Sequence, residues 1–256
     1  MVRCAKLIGA VSIAAATALL LFPARAADDP TEPLQRFSQL QSGAQVPRPA
    51  AAAVHSPGDA AVTGFSGVRP PQQVPSGINP LDKTFIDLDG ASVRIIDLSN
   101  PGAPPQGQIM PAPSPFAVTA RQVGQVFAVA QDDAMPPNIY VAATSAYGLP
   151  IVAAQPDRDG TLRRLRRGEP GARFMPGLFG PQAAGGGPGS VWKIDGRTRA
   201  ISLFVNIQNS GAGLGDIVFD AARRQFFVSD RGSGVIHRVG LDGVLRDSFD
   251  HGTTGR

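Results

Sequence analysis

The sequence predicts an all-β protein, a partial β-propeller built from four-stranded antiparallel blades, and three observations predict it. Ser190-Val191-Trp192-Lys193-Ile194-Asp195, closed by Phe204, aligns without a gap on Val235-Ile236-His237-Arg238-Val239-Gly240, closed by Phe249. A second matching pair lies upstream of each block, Ile139-Tyr140-Val141-Ala142 and Phe226-Phe227-Val228-Ser229. Self-similarity at tens of residues, carried on short alternating strands, marks a radial β architecture. The third observation is negative: from Leu81 onward turn signals punctuate short strands and helical periodicity is almost absent. Only two to three such units are written in 256 residues, so the expected ring is unfinished.

The chain opens with a secretory layout. Arg3 and Lys6 form a positive region, Leu7 to Phe22 is apolar, and Ala24-Arg25-Ala26 places small residues at the cleavage-determining positions Ala24 and Ala26. The apolar run is short for a transmembrane span, and Asp28 and Asp29 follow it. Residues 1–26 are therefore expected to be removed, with a Sec-type route to the periplasm or the exterior and no stable membrane span in the mature form. Removal takes Arg3, Lys6 and Arg25 out of 24 basic residues against 20 acidic ones, so the net charge of +4 falls to near +1. No global attraction to nucleic acid follows from that balance. Cys4 leaves as well, so disulfides do not hold the mature chain.

Residues 27–80 are dominated by Pro, Ala, Gln, Ser and Gly and read as a disordered linker. Order is expected from 81 to 256. Thr84 to Gly90 and Ser92 to Leu98 read as a hairpin, and Val93 to Asp97 superposes on Val191 to Asp195 as a third copy of that strand. Gly124 to Gln131 and Asn138 to Thr144 are the next strands, joined by the turn-like Asp132 to Pro137. An insertion over 149–188 interrupts the repeat. It reads as a loop excursion from one blade, with a short helix allowed around Thr161 to Arg167. The last unit supplies four strands, near Asp216 to Asp220, Gln225 to Asp230, Val235 to Val239 and Val244 to Phe249.

Gly213-Leu214-Gly215-Asp216-Ile217-Val218-Phe219-Asp220 and Gln225-Phe226-Phe227-Val228-Ser229-Asp230 resemble blades of the NHL, SMP-30 and strictosidine-synthase-like six-bladed propeller superfamily. The resemblance covers 189–250 well and 81–256 loosely. It implies the radial fold. For enzymes of the SMP-30 type it also implies carboxylate and amide side chains that hold a divalent cation on the axis. This sequence supplies no matching full set of those positions, so no metal ligand is carried over.

Asp216, Asp220 and Asp230 recur near strand ends of the final unit. They are candidates to face a central channel, where Ca²⁺ would suit carboxylate oxygens, but turn chemistry is the favoured account of Asp at such places. His251 has Asp250 beside it and is a candidate base, weighed against a blade-connecting loop. His237 takes the place of Trp192 and Arg94 in the other copies, which reads as a packing position with a polar edge. Arg163, Arg164, Arg166 and Arg167 form the one dense charge run, a possible anion-binding loop without the interleaved aromatics that single-stranded nucleic acid favours. No GxSxG, HExxH, CxxC or phosphate-loop pattern occurs.

The functional expectation is an exported binding or scaffold module for a protein or polysaccharide ligand, without a cofactor and with no nucleic-acid partner. The alternative is a fragment of a lactonase or strictosidine-synthase-like metal-dependent hydrolase, with Ca²⁺ entering only there. A truncated product is a further possibility. Open blade edges are expected to drive self-association.

Overall fold

A computed structural model describes residues 53–74, 76–98, 113–146, 151–158, 160–209, 213–250 and 252. The leader with Ala24 and Ala26, most of the linker, and His251 lie outside the described residues.

In chain order the elements are β1 (Asp59–Thr63), β2 (Val68–Arg69), a 3-10 turn (Pro80–Lys83), β3 (Phe85–Ile86), β4 (Ala91–Asp97), β5 (Phe116–Thr119), the one-turn helix α1 (Ala120–Val123), β6 (Val126–Gln131), β7 (Ile139–Ala143), β8 (Ile151–Ala153) and β9 (Ala172–Phe174). A second 3-10 turn (Gln182–Ala184) precedes β10 (Ser190–Ile194), β11 (Ile201–Asn206), β12 (Leu214–Asp220), β13 (Gln225–Asp230), β14 (Ile236–Gly240) and β15 (Leu245–Phe249). Three antiparallel sheets form the body: β1-β4-β5, then β6-β7-β10-β11, then β12-β13-β14-β15. The described residues are thus all-β, with a stack of sheets of the partial-propeller kind.

Apolar alternation on each strand stacks the sheets. Val93, Ile95 and Val118 of the first sheet share one core with Val126, Ile139, Val141, Trp192 and Ile194 of the second. Tyr140, Ala142 and Val191, on the opposite face of the second sheet, share the next core with Leu214, Ile217, Phe226, Val228 and Val239 of the third. The middle sheet is therefore covered on both faces, and all five residues of β7 are buried. The two four-stranded sheets repeat in register: Trp192 opposes Val141 as His237 opposes Val228, and Ile194 opposes Ile139 as Val239 opposes Phe226.

Four expectations change here. Order begins well inside the stretch read as linker, because β1 pairs with β4 and Val54 is completely buried. Composition averaged over 27–80 hid the short alternating segment Asp59 to Thr63, which gains a ladder only from a strand distant in sequence. Phe85–Ile86 does not return onto β4 as a hairpin but pairs with Val68–Arg69. Arg94 is no third copy of Trp192: it stands on the middle strand of a three-stranded sheet, between Val62 and Ala117. The segment around Arg164 is extended instead of helical. Val152 bridges Arg164 on one side and pairs with Arg173 on the other, and Ala153 N donates to Arg163 O at 2.8 Å. A ladder of this kind satisfies backbone groups that an isolated one-turn helix leaves open.

The excursion between β7 and β10 folds back as a cap. Val152, Met175, Leu178 and Phe179 cluster with Ile86 and Ala143, and Leu162 packs against them. Trp192 Nε1 donates to Phe179 O at 3.0 Å, and Gln125 N to Leu178 O at 2.8 Å, which tie the cap to the second sheet. Gly180 permits this approach. Its φ is +87°, and a Cβ there would lie 2.6 Å from the Trp192 ring.

Candidate functional site

A dense polar arrangement in the third sheet includes one of the predicted acids. Asp230 ends β13 with its side chain 4% exposed. Its carboxylate accepts from Gly232 N at 2.7 Å, Ser233 Oγ at 2.7 Å and the Asn209 side-chain amide, which fixes the turn into β14. His237 on β14 places Nε2 3.8 Å from Asp230 Oδ2 and Nδ1 2.8 Å from Ser248 Oγ on β15. The order Ser248, His237, Asp230 is that of a nucleophile, base and orienting acid, but the distances differ from a relay. A working relay needs hydrogen-bond contact at both ring nitrogens, about 2.6–3.2 Å. Asp230 Oδ2 is already held by Ser233, and His237 Nε2 is buried without a hydrogen-bond partner among the described residues. The set organises a turn and pins β14 to β15.

Strand parity separates the other acids from Asp230. Asp216 and Asp220 alternate with the core residues Ile217 and Phe219, so they lie on the outward face of the third sheet. Four residues of strand hold them roughly 13 Å apart. Asp220 caps the turn into β13, accepting from Ala222 N at 3.1 Å, Arg223 N at 3.2 Å and Gln225 Nε2 at 3.0 Å. The Gln225 hydrogen bond, followed by the turn amides and Arg223, holds its carboxyl below the usual range. Asp216 is exposed, and its Oδ1 accepts from Ile217 N at 2.8 Å. Asp216, Asp220 and Asp230 do not meet at one point. Among the described residues, no three of His, Cys, Asp and Glu gather closely enough to hold a metal ion.

The arginine run divides in two. Arg163 pairs with Asp157 at 3.6 Å and Arg164 with Asp82 at 3.5 Å, so both help fasten the cap. Arg166 and Arg167 are exposed and make no ion pair among the described residues. The cap also contains a charge that composition does not reveal: Lys83, its side chain 8% exposed, donates to Asp157 Oδ2 at 2.6 Å and Thr161 Oγ1 at 2.7 Å. A Lys at the end of a Pro-initiated turn gives no sequence signal of burial, because its partner is 74 residues away.

A second cation, Arg199, is half-buried. Arg199 has φ +65°, its guanidinium lies 5.5 Å from the Phe116 ring centroid, and its Nε and Nη2 are buried without hydrogen-bond partners among the described residues. Arg224 holds a related turn position, at φ +51°, but reaches outward to Asp133 at 3.1 Å.

The outward face of the third sheet carries a groove of about 290 Å³ lined by Phe227, Ile236, Arg238, Asp247, Ser248 and Phe249. Register gives those side chains their meaning. Phe227, Ile236 and Phe249 align with Tyr140, Val191 and Val205 in the second sheet, where all three pack in the core beneath the third sheet. There Tyr140 and Phe204 meet edge to face, with ring centroids 4.8 Å apart. In the third sheet Phe227 and Phe249 remain on the surface, Phe249 at 62% exposure.

No helix among the described residues is long and apolar enough to cross a membrane. Compared with protein-family models, with curated proteins and with solved structures, the chain matches none.

Proposed function

We propose that this chain is an exported binding or scaffold module of the propeller kind, and that its contact surface is the outward face of the third sheet. One observation carries the reading. Phe227, Ile236 and Phe249 repeat the positions through which the second sheet receives its neighbour, so the face is shaped to take another β-sheet. Surface aromatics clustered around a groove, rimmed by a charged pair such as Arg238 and Asp247 at 3.7 Å, are the usual anatomy of a protein contact. The signal-peptide layout supports export.

The test uses the dye 8-anilinonaphthalene-1-sulfonate at high protein dilution. The wild-type chain is expected to bind it, and the double variant Phe227→Ser with Phe249→Ser to lose that binding while keeping its far-ultraviolet circular dichroism. Equal dye binding by the two proteins would reject this face as the contact surface.

A further inference from the structure

Resting on that reading, we infer the occupant of the face: the first sheet of a second copy of this chain, packed head to tail. The argument begins with continuity. Within the chain each sheet offers its forward face to the next, so the third sheet continues a packing direction already used twice. What it would meet in another copy is the backward face of the first sheet. Val93, Ile95 and Val118 point forward into the first core, which leaves Val62, Arg94, Ile96 and Ala117 on the other side. Val62 is 44% exposed there.

Charge selects the same pairing. The outward face of the third sheet carries Asp216, Asp220 and Asp247 against Arg238, with Arg223 at its edge 3.6 Å from Asp220. The backward face of the first sheet presents Arg94, which makes no ion pair among the described residues. Bringing the two together sets the Arg94 cation against the carboxylates of that aromatic surface, which favours register and partner choice. The interface is heterologous, since different patches meet, and every copy offers one of each. Such contacts form a closed ring when the rotation between copies closes.

Light scattering across a concentration series tests this. The wild-type mass is expected to rise from monomer to a fixed multiple, with dye binding falling in parallel as the face is covered. Arg94→Glu alone, and Asp216→Lys with Asp247→Lys alone, should each hold the chain as a folded monomer, and mixing the two variants should restore the larger mass. Dye binding that persists at all concentrations with monomeric mass would overturn the inference and leave the contact face standing. Association that neither charge reversal disturbs would overturn it as well.

Discussion

Trp192 and His237 hold one register position in successive sheets: Trp192 lies between Val141 and Leu203, His237 between Val228 and Ser248. Both are buried, and each turns its polar edge to a different anchor. The indole donates to the cap at Phe179 O, at 3.0 Å, and the imidazole meets Ser248 Oγ at 2.8 Å. The repeat thus fixes where a large side chain must sit, and the local surroundings decide what its nitrogen does.

The Trp192 anchor predicts a coupled pair of variants. Trp192→Ala should cost about 3–5 kcal/mol, through the cavity and the lost hydrogen bond. Gly180→Ala should cost about 1–3 kcal/mol, because its Cβ meets the ring and its φ is left-handed. Urea unfolding of the double variant should fall short of the summed losses, since the clash needs the indole. Strict additivity would argue that the cap does not bear on Trp192.

At Arg199 a substitution is expected to stabilise the chain. Arg199→Gly relieves a left-handed φ and removes two buried unpaired donors, against one cation–π contact with Phe116. The balance is about 1 kcal/mol in favour of the variant. For a chain of this size calorimetry should show the midpoint rising by roughly 2–4 °C. An unchanged or lower midpoint would show that the guanidinium is satisfied.

Asp132 and Tyr140 predict the pH limits. Burial pushes the Asp132 carboxyl up, but hydrogen bonds from Asn138, Ala134 N and the Tyr140 hydroxyl outweigh it and hold the group below the usual carboxylate range. A lowered folded pKa stabilises above the unfolded value of about 4, and that stability is lost as pH falls through the folded value. Asp132→Asn should therefore destabilise at pH 7, with the gap to wild type closing in strong acid. Burial, and then the Asp132 charge, hold the Tyr140 hydroxyl above its ordinary range. Its contribution is present below about pH 10 and is lost as pH rises beyond that. Denaturant midpoints of wild type, Asp132→Asn and Tyr140→Phe between pH 3 and 11 check both signs.

If the arginine run binds anionic surfaces, Arg166 and Arg167 should carry the binding. Arg166→Gln with Arg167→Gln is expected to shorten heparin retention and flatten its salt dependence, because counterion release scales with the cations engaged. Arg163→Gln with Arg164→Gln should instead lower stability modestly, by about 0–1 kcal/mol for each exposed pair, with retention changed less. The reverse ranking would move the contact surface to the cap's inner edge.

The sequence by itself determined the parts of the protein that are local or repeated. Alternation in Gln225 to Phe249 carried the strands of the third sheet, and the self-similarity of Val191 and Ile236 carried the matching register of two sheets, because a slip of one residue would send every side chain to the opposite face. Tertiary structure decided what depends on distant partners. It drew Asp59 to Thr63 out of an apparent linker, bridged the extended arginine run to Val152 at Arg164, and buried Lys83 against Asp157. It also kept Asp216 and Asp220 on the opposite face of the sheet from Asp230. None of these is written in composition, since pairing energy belongs to two segments at once and each segment alone reads as loop. The same holds for the open aromatic face: Phe249 reads as a strand-closing residue in the sequence, and its exposure follows from the surroundings of the third sheet.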